Sequence, residues 1–338
     1  MAQINRQLIL RARPKGLLAP GDLQLVESPV PTIADGQALA KVKYLSIDPT
    51  MRVWMAIDTY LPAVAIGEVM RAIGLAEVVE SRHKEFKKGN KVVGLTGLQE
   101  YCVIASADAR GGFRKVPPVP FLSDTAFLGV LGATGLTAYF GMTDIAKPQK
   151  GETLVVSAAA GATGSIAGQI GKIHGCRVVG IAGGAEKCKW LTDELGFDAA
   201  VDYKDGAVFK ALRAAAPSGI DVYFDNVGGD ILEACLAQMN NRGRIACCGA
   251  ISQYDGVPSA HGPRGVPGLI VVKRLIMQGF IVMDFMDQRD EALNDLQSWV
   301  ASGKLKVQED VINGLENTPK ALIGLLAGEN RGKRMIKV

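Results

Sequence analysis

The pattern of apolar and polar positions changes character near residue 125. Upstream, short alternating runs such as "QALAKVKYLSID", "GLAEVVES" and "NKVVGLTGLQEYCVIA" are separated by prolines and glycines, which predicts the strands of a β-rich unit. Downstream, apolar runs alternate with amphipathic stretches. Strands are predicted at 153–159, 177–182, 199–203, 221–227, 243–249 and 279–285, with helices between the first five, the signature of an α/β doubly wound parallel sheet. The segment "SDTAFLGVLGATGLTAYFGMTDIA" has helical spacing behind the possible caps Ser123 and Asp124 and links the two units. Beyond a long helix at 287–302, "KVQEDVI" and "GKRMIKV" return to strand patterning. The expected organisation is 1–125, 126–303 and 304–338, with the last segment rejoining the first unit.

Composition narrows this picture. A chain of 338 residues, 48% hydrophobic and 21% charged, is long enough for two packed cores. No apolar run approaches the ~20 residues of a membrane span, and neither end carries a secretory signal or lipidation address, so a cytoplasmic protein away from membranes is expected. The net charge of +4 comes from interspersed lysines and arginines, which argues against nucleic acid as partner and suits an anionic small ligand. Cysteines 102, 176, 188, 235, 247 and 248 form no C-x-x-C pair and read as buried thiols in a reducing compartment. His83 and His174 have no metal-like or triad-like neighbours, while the role of His261, in a Gly/Pro loop, is open.

The clearest chemical signal is "VVSAAAGATGSIAGQIGKIHGCRVVGIAGGAEK" at 155–187. A strand delivers the chain to Gly161, Ala162, Thr163 and Gly164, and a helix then begins near Ser165. Such a turn lets backbone approach a pyrophosphate in front of unpaired helix N–H groups. Ala159 stands at the first position of the G-x-G-x-x-G pattern, so the match is A-x-G-x-x-G. The second strand ends in "GIAGG" without the acid that would hold a ribose 2′-hydroxyl. Lys187 and the Tyr203 hydroxyl are available there for a 2′-phosphate, although Glu186 leaves NAD open. Asn226 follows the fourth strand and Gly249, Ser252 and Tyr254 follow the fifth, all at carboxyl ends where ligands sit.

The stretches "IDPTMR", "IGEVM", "AAAGATGS", "AGGAEKCKWL", "LGFDAAVDYK", "DVYFDNVGG" and "GRIACCGAISQY", in this order, resemble the medium-chain dehydrogenase/reductase superfamily. Within it they are similar to the prostaglandin reductase and alkenal/curcumin double-bond reductase family. The resemblance spans nearly the whole chain. It implies a zinc-free, NADPH-dependent enoyl-type reductase with a GroES-like β domain and a Rossmann-like domain. It also implies cofactor contacts at Gly161, Ala162, Thr163, Gly164, Lys187, Tyr203, Asn226, the turn Cys248, Gly249, Ala250, Ile251, Ser252 and Tyr254, the strand Phe280, Ile281 and Val282, and Asn330.

A zinc alcohol dehydrogenase of the superfamily needs a cysteine near "YLSIDP", a Gly-His-Glu element and a four-cysteine lobe. This chain offers Ser46 and Asp48, Gly67-Glu68-Val69, and no such lobe, so no metal is expected. The chemistry left is hydride delivery to an alkene polarised by a carbonyl, whose oxygen needs a hydrogen-bond donor as an enolate develops. Tyr254 is the candidate catalytic residue, since a phenol of reference pKa ~10 is protonated at neutral pH. His261 is second. The family commonly has a tyrosine where Thr50 stands, so Met51, Arg52, Trp54, Tyr60 and His261 are the substrate-pocket candidates. A quinone reductase is the alternative activity, and a cofactor-binding redox sensor without turnover a third reading. The long apolar run "GFIVMDF", taken as the edge strand of the sheet, predicts a homodimer, as does the resemblance.

Overall fold

The structure is a computed structural model that describes residues 3–105, 112–255 and 262–338. The chain begins with β1 (Ile4–Leu10), β2 (Leu23–Pro29), β3 (Ala38–Ser46), helix α1 (Thr50–Trp54), β4 (Ile73–Ser81), β5 (Lys91–Leu95), β6 (Tyr101–Ile104) and β7 (Arg114–Lys115). Proline and glycine keep these strands short, and alternating side chains give them one buried face around Val42, Leu45, Val78 and Val92. β3 pairs antiparallel with β4 and β6, and β4 with β5, while β1 and β2 form a separate two-stranded sheet.

The linking segment folds as a 3-10 turn at Asp124–Leu128 and helix α2 (Ala133–Phe140), continued by a wider helical turn to Ala146. The second unit follows as β8 (Thr153–Val156), α3 (Ala162–Ile173), β9 (Arg177–Ala182), α4 (Ala185–Asp193), β10 (Ala199–Asp202), α5 (Val208–Ala215), β11 (Ile220–Asp225), α6 (Gly229–Gln238), β12 (Met239–Cys247), α7 (Val266–Lys273), β13 (Ile276–Gly279) and α8 (Arg289–Ala301). Its strands are parallel in the order β10-β9-β8-β11-β12-β13, the doubly wound order with its switch point between β8 and β11. All four residues of β8 are buried, as a central strand covered on both faces requires. Glycine is a poor helix former, yet α3 carries Gly168 against the Phe197 ring and Gly171 against Leu154, so close packing on the sheet overrides propensity. Finally β14 (Glu309–Asn313), α9 (Thr318–Leu326) and β15 (Lys333–Lys337) bring the chain back, with β15 pairing antiparallel to β3.

The sixth strand departs from its predicted position. It ends at Gly279, so Phe280, Ile281 and Val282 are not strand, and 3-10 geometry begins at Val282. Phe280 packs edge-on against Phe224 and Phe285 stacks on Phe140, 4.9 Å between centroids. These aromatic contacts pull "FIVMDF" off the sheet edge and onto α2, a tertiary preference that outweighs strand propensity.

Candidate active site

The nucleotide turn forms where β8 leaves the sheet. Ala158 adopts a left-handed φ of 46°, which costs a non-glycine residue about 1–2 kcal/mol and swings the chain toward α3. The two glycines that follow lack a side chain for different reasons. A Cβ on Gly164 would lie 2.4 Å from the Ala158 carbonyl oxygen and 2.9 Å from the Ala159 Cα, so the helix seats directly on the turn. A Cβ on Gly161 would approach only the Ala158 carbonyl oxygen, at 3.2 Å, which leaves that face open to a ligand. Gly161, Ala162 and Thr163 make the partly exposed entry to α3, whose first N–H groups receive no side-chain cap. The C-terminal return borders this turn: the Gly332 N–H donates to the Ala160 carbonyl at 2.8 Å, and the buried Asn330 amide donates to the Gly332 carbonyl at 2.8 Å.

A cationic corner lies beside it. Lys187 Nζ donates to the Gly328 carbonyl at 2.6 Å. The Tyr203 ring covers Gly183, where a Cβ would sit 2.8 Å from the phenol oxygen, and that oxygen also faces Gly328. Asp202, the nearest acid at a strand end, is spent on the Gly184 and Lys204 N–H groups, both at 2.9 Å. Burial, followed by the nearby Lys204 and Arg334 charges, pushes the Lys187 ammonium below its ordinary range. Asp310 and Glu329 act the other way, but Asp310 pairs with Arg334 at 2.9 Å, which leaves the Lys187 ammonium, bonded to a carbonyl, as the group an anion would complete.

Across the switch point, Asp225 organises the second half of the site, a role the sequence did not signal. Buried at the end of β11, its Oδ1 accepts from Ser157 Oγ (3.2 Å), Tyr223 OH (2.8 Å) and the Val227 and Gly228 N–H groups (both 2.9 Å). The only sequence hint was an acid between an apolar strand and "NVGG". Asn226 is thereby held with its amide donating to the Ser157 carbonyl at 2.7 Å. The turn after β12 hangs on the same loop: Cys248 and Gly249 donate to the Asp225 carbonyl, Ile251 to Asn226, and Ser252 Oγ to Val227 at 2.6 Å. Tyr254 ends this turn. Its phenol oxygen accepts from the Ala250 N–H at 3.3 Å, and burial is the main cause that raises its pKa.

Among the described substrate candidates of the β-rich unit Tyr60 alone is half-exposed, and its partial burial, then Tyr254, Asp48 and Cys248, raise its phenol. Met51 and Trp54 are buried in the β-rich core, and Arg52 is 1% exposed with Nη2 donating to the Gly16 carbonyl at 2.7 Å. His261 lies outside the described residues. All six cysteines are free. Burial lifts the thiols of Cys102 and Cys248 to about 12 and those of Cys176 and Cys247 to about 11. Among the described residues no group of three or more His, Cys, Asp or Glu is set to hold a metal. Where a zinc enzyme would put its first ligand, Ser46 donates to Asp48, and Lys333 Nζ donates to the same carboxylate at 2.6 Å.

Comparison with known proteins agrees with this geometry. Residues 6–111 match the family described as the N-terminal domain of oxidoreductase, and residues 162–298 the family described as zinc-binding dehydrogenase. The NADPH-dependent curcumin reductase of Escherichia coli is 42% identical over 99% of this chain and 97% of its own length. The prostaglandin reductase 1 of Bos taurus is 42% identical over 94% of both. The chain belongs to the medium-chain dehydrogenase/reductases, in their prostaglandin and alkenal reductase family. A solved member, CurA from Vibrio vulnificus in complex with NADPH, superposes with a TM-score of 0.94 at 40% identity, covering 98% of this chain and 99% of that one. In this chain the glycine turn, the Lys187 corner and the Tyr254 turn follow the carboxyl ends of β8, β9 and β12 of the one parallel sheet.

Proposed function

We propose that the protein is an NADPH-dependent reductase of carbon–carbon double bonds activated by a neighbouring ketone or aldehyde. The observation that carries this reading is the open face of Gly161 set beside the Lys187 and Tyr203 corner, a fit for a dinucleotide that ends in a 2′-phosphate. Relatives with curcumin, prostaglandin and alkenal reductase activity support the substrate class. Gly161, Ala162, Thr163 and Gly164 would hold the pyrophosphate, Lys187 and Tyr203 the 2′-phosphate. Asn226, Cys248 to Ser252, Phe280, Ile281, Val282 and Asn330 would border the ribose and nicotinamide. NADPH would supply a hydride to the β carbon of the alkene, and a proton from water would complete the α carbon after the enolate has formed. Charge then develops on the substrate carbonyl oxygen, and Tyr254 stabilises it: its oxygen already accepts from Ala250, which leaves the O–H free to donate. Tyr60 lines the pocket opposite.

The working divisions are proposed as 1–125 for substrate, 126–303 for cofactor and 304–338 returning to the first. No helix among the described residues is long and apolar enough to cross a membrane, and the free cysteines support a reducing, cytoplasmic setting. A homodimer through the β13 edge is supported by the exposed Ile276, Val271 and Val272. The test is incubation with NADPH and a panel of enones, enals and quinones, following nicotinamide absorbance. Turnover of enones is expected. Turnover confined to quinones would assign a quinone reductase, and NADPH binding with no acceptor reduced would assign a sensor.

A further inference from the structure

Among the described residues, just two buried side-chain polar atoms lack a hydrogen-bond partner, Arg52 Nε and Asp255 Oδ1, and they face each other at 3.9 Å. They come from different units. Arg52 lies on α1 of the β-rich unit, anchored through Nη2 to the Gly16 carbonyl, and Asp255 is the residue after Tyr254 on the turn that follows β12. Unpaired buried polar atoms are rare, and two of opposite charge aimed at one another describe an interaction one step from completion. A charge-assisted N–H···O bond spans about 2.8 Å, so the turn needs to move by about 1 Å to form it. Both atoms are buried and stand as a long ion pair, while the rest of the Asp255 side chain is 30% exposed.

We infer that Arg52 and Asp255 are a positioning pair that fixes the Gly249–Asp255 turn against the β-rich unit in the reacting state. Arg52 then serves the reaction without touching substrate. Hydrogen bonds already pin the start of the turn to the Asp225 loop, whereas among the described residues Tyr254 is tied to its own turn, through the Ala250 and Ile251 contacts. Closing the pair sets the last free coordinate of the phenol. The inference rests on the reading of this turn as the place where the substrate carbonyl is met.

The test uses the whole enzyme with NADPH and an enone, both saturating. Asp255→Asn is expected to lower kcat about tenfold while KM for NADPH stays within about twofold and the melting temperature barely moves. Asp255→Glu keeps the charge and is expected to recover at least half of the wild-type rate. Arg52→Lys, combined with Asp255→Asn, is expected to be no worse than the slower single variant, because either change alone breaks the same contact. Should Arg52→Lys fail to fold, the Asn and Glu variants decide by themselves. Wild-type kcat in Asp255→Asn, equal losses in Asn and Glu, or additive effects with Arg52→Lys would overturn the inference. Tyr254→Phe tests the underlying reading separately, since the coupling between Arg52 and Asp255 is measured whether or not the phenol takes part.

Discussion

Lys187 carries opposing influences that make its role measurable. Burial and the neighbouring cations disfavour its charge, while a phosphate in the corner it shares with Tyr203 would restore it. A charge-assisted contact contributes roughly 1.5–3 kcal/mol, so Lys187→Ala should weaken NADPH about 10- to 100-fold and leave NADH nearly unchanged in a fluorescence titration. The depressed pKa fixes the sign with pH: the ammonium is lost on going alkaline sooner than in an ordinary lysine. NADPH affinity should therefore fall at high pH in the wild type and stay flat in the variant. Tyr254 is shifted the other way. Its phenol stays protonated until the pH passes a value above 10, so kcat should show no loss from this group between about pH 6 and 9. Tyr254→Phe should lower kcat by ~10- to 1000-fold with NADPH binding intact, as removal of one oxyanion donor does. A wild-type rate would leave a cofactor hydroxyl as the remaining donor.

Each element in this chain was legible in sequence to the extent that its own periodicity decided its fate. The order and type of β8, α3 and β9 follow from an apolar run, a glycine turn and a 3.6-residue pattern that agree locally, and β9 has its predicted bounds, but β8 ends at Val156 rather than 159 and α3 begins at Ala162 rather than near Ser165, because the turn at Ala158 takes the chain off the sheet early. β13 was misplaced because Phe280 and Phe285 answer to Phe224 and Phe140, partners that local pattern cannot reveal. Asp225 and the Arg52–Asp255 pair were invisible for the same reason, since their contacts join segments far apart in the chain. The motif itself hid a distinction that only geometry draws. Gly164→Ala drives a Cβ into backbone and should destabilise by about 1–3 kcal/mol, seen as a lower melting temperature of the apoprotein. Gly161→Ala should melt near wild type yet lose cofactor affinity. If both variants melt alike, the open face of Gly161 is not reserved for a ligand.

At the scale of the whole molecule, the proposed dimer rests on the β13 edge of the sheet. Ile276 is 57% exposed on a strand with no outer neighbour among the described residues, and Val271 and Val272 of α7 stand exposed close by in the chain. Light scattering should give twice the chain's 35.8 kDa, and Ile276→Lys should shift the population toward single chains at micromolar concentration. A mass of one chain for the wild type would remove the dimer. The burial of the cysteines reaches further than packing. Enones and enals are soft electrophiles that add to thiolates, so an enzyme that lives among them risks being modified by its own diet. A thiol pushed up to about 12, such as that of Cys248, is far less ionised at neutral pH than a free cysteine. Mass spectrometry after exposure to a reactive enal without NADPH should find Cys102, Cys235 and Cys248 unmodified in the folded protein and alkylated once it is unfolded. Unmodified thiols in the folded protein would make the same burial that builds the core a shield against the electrophiles around it.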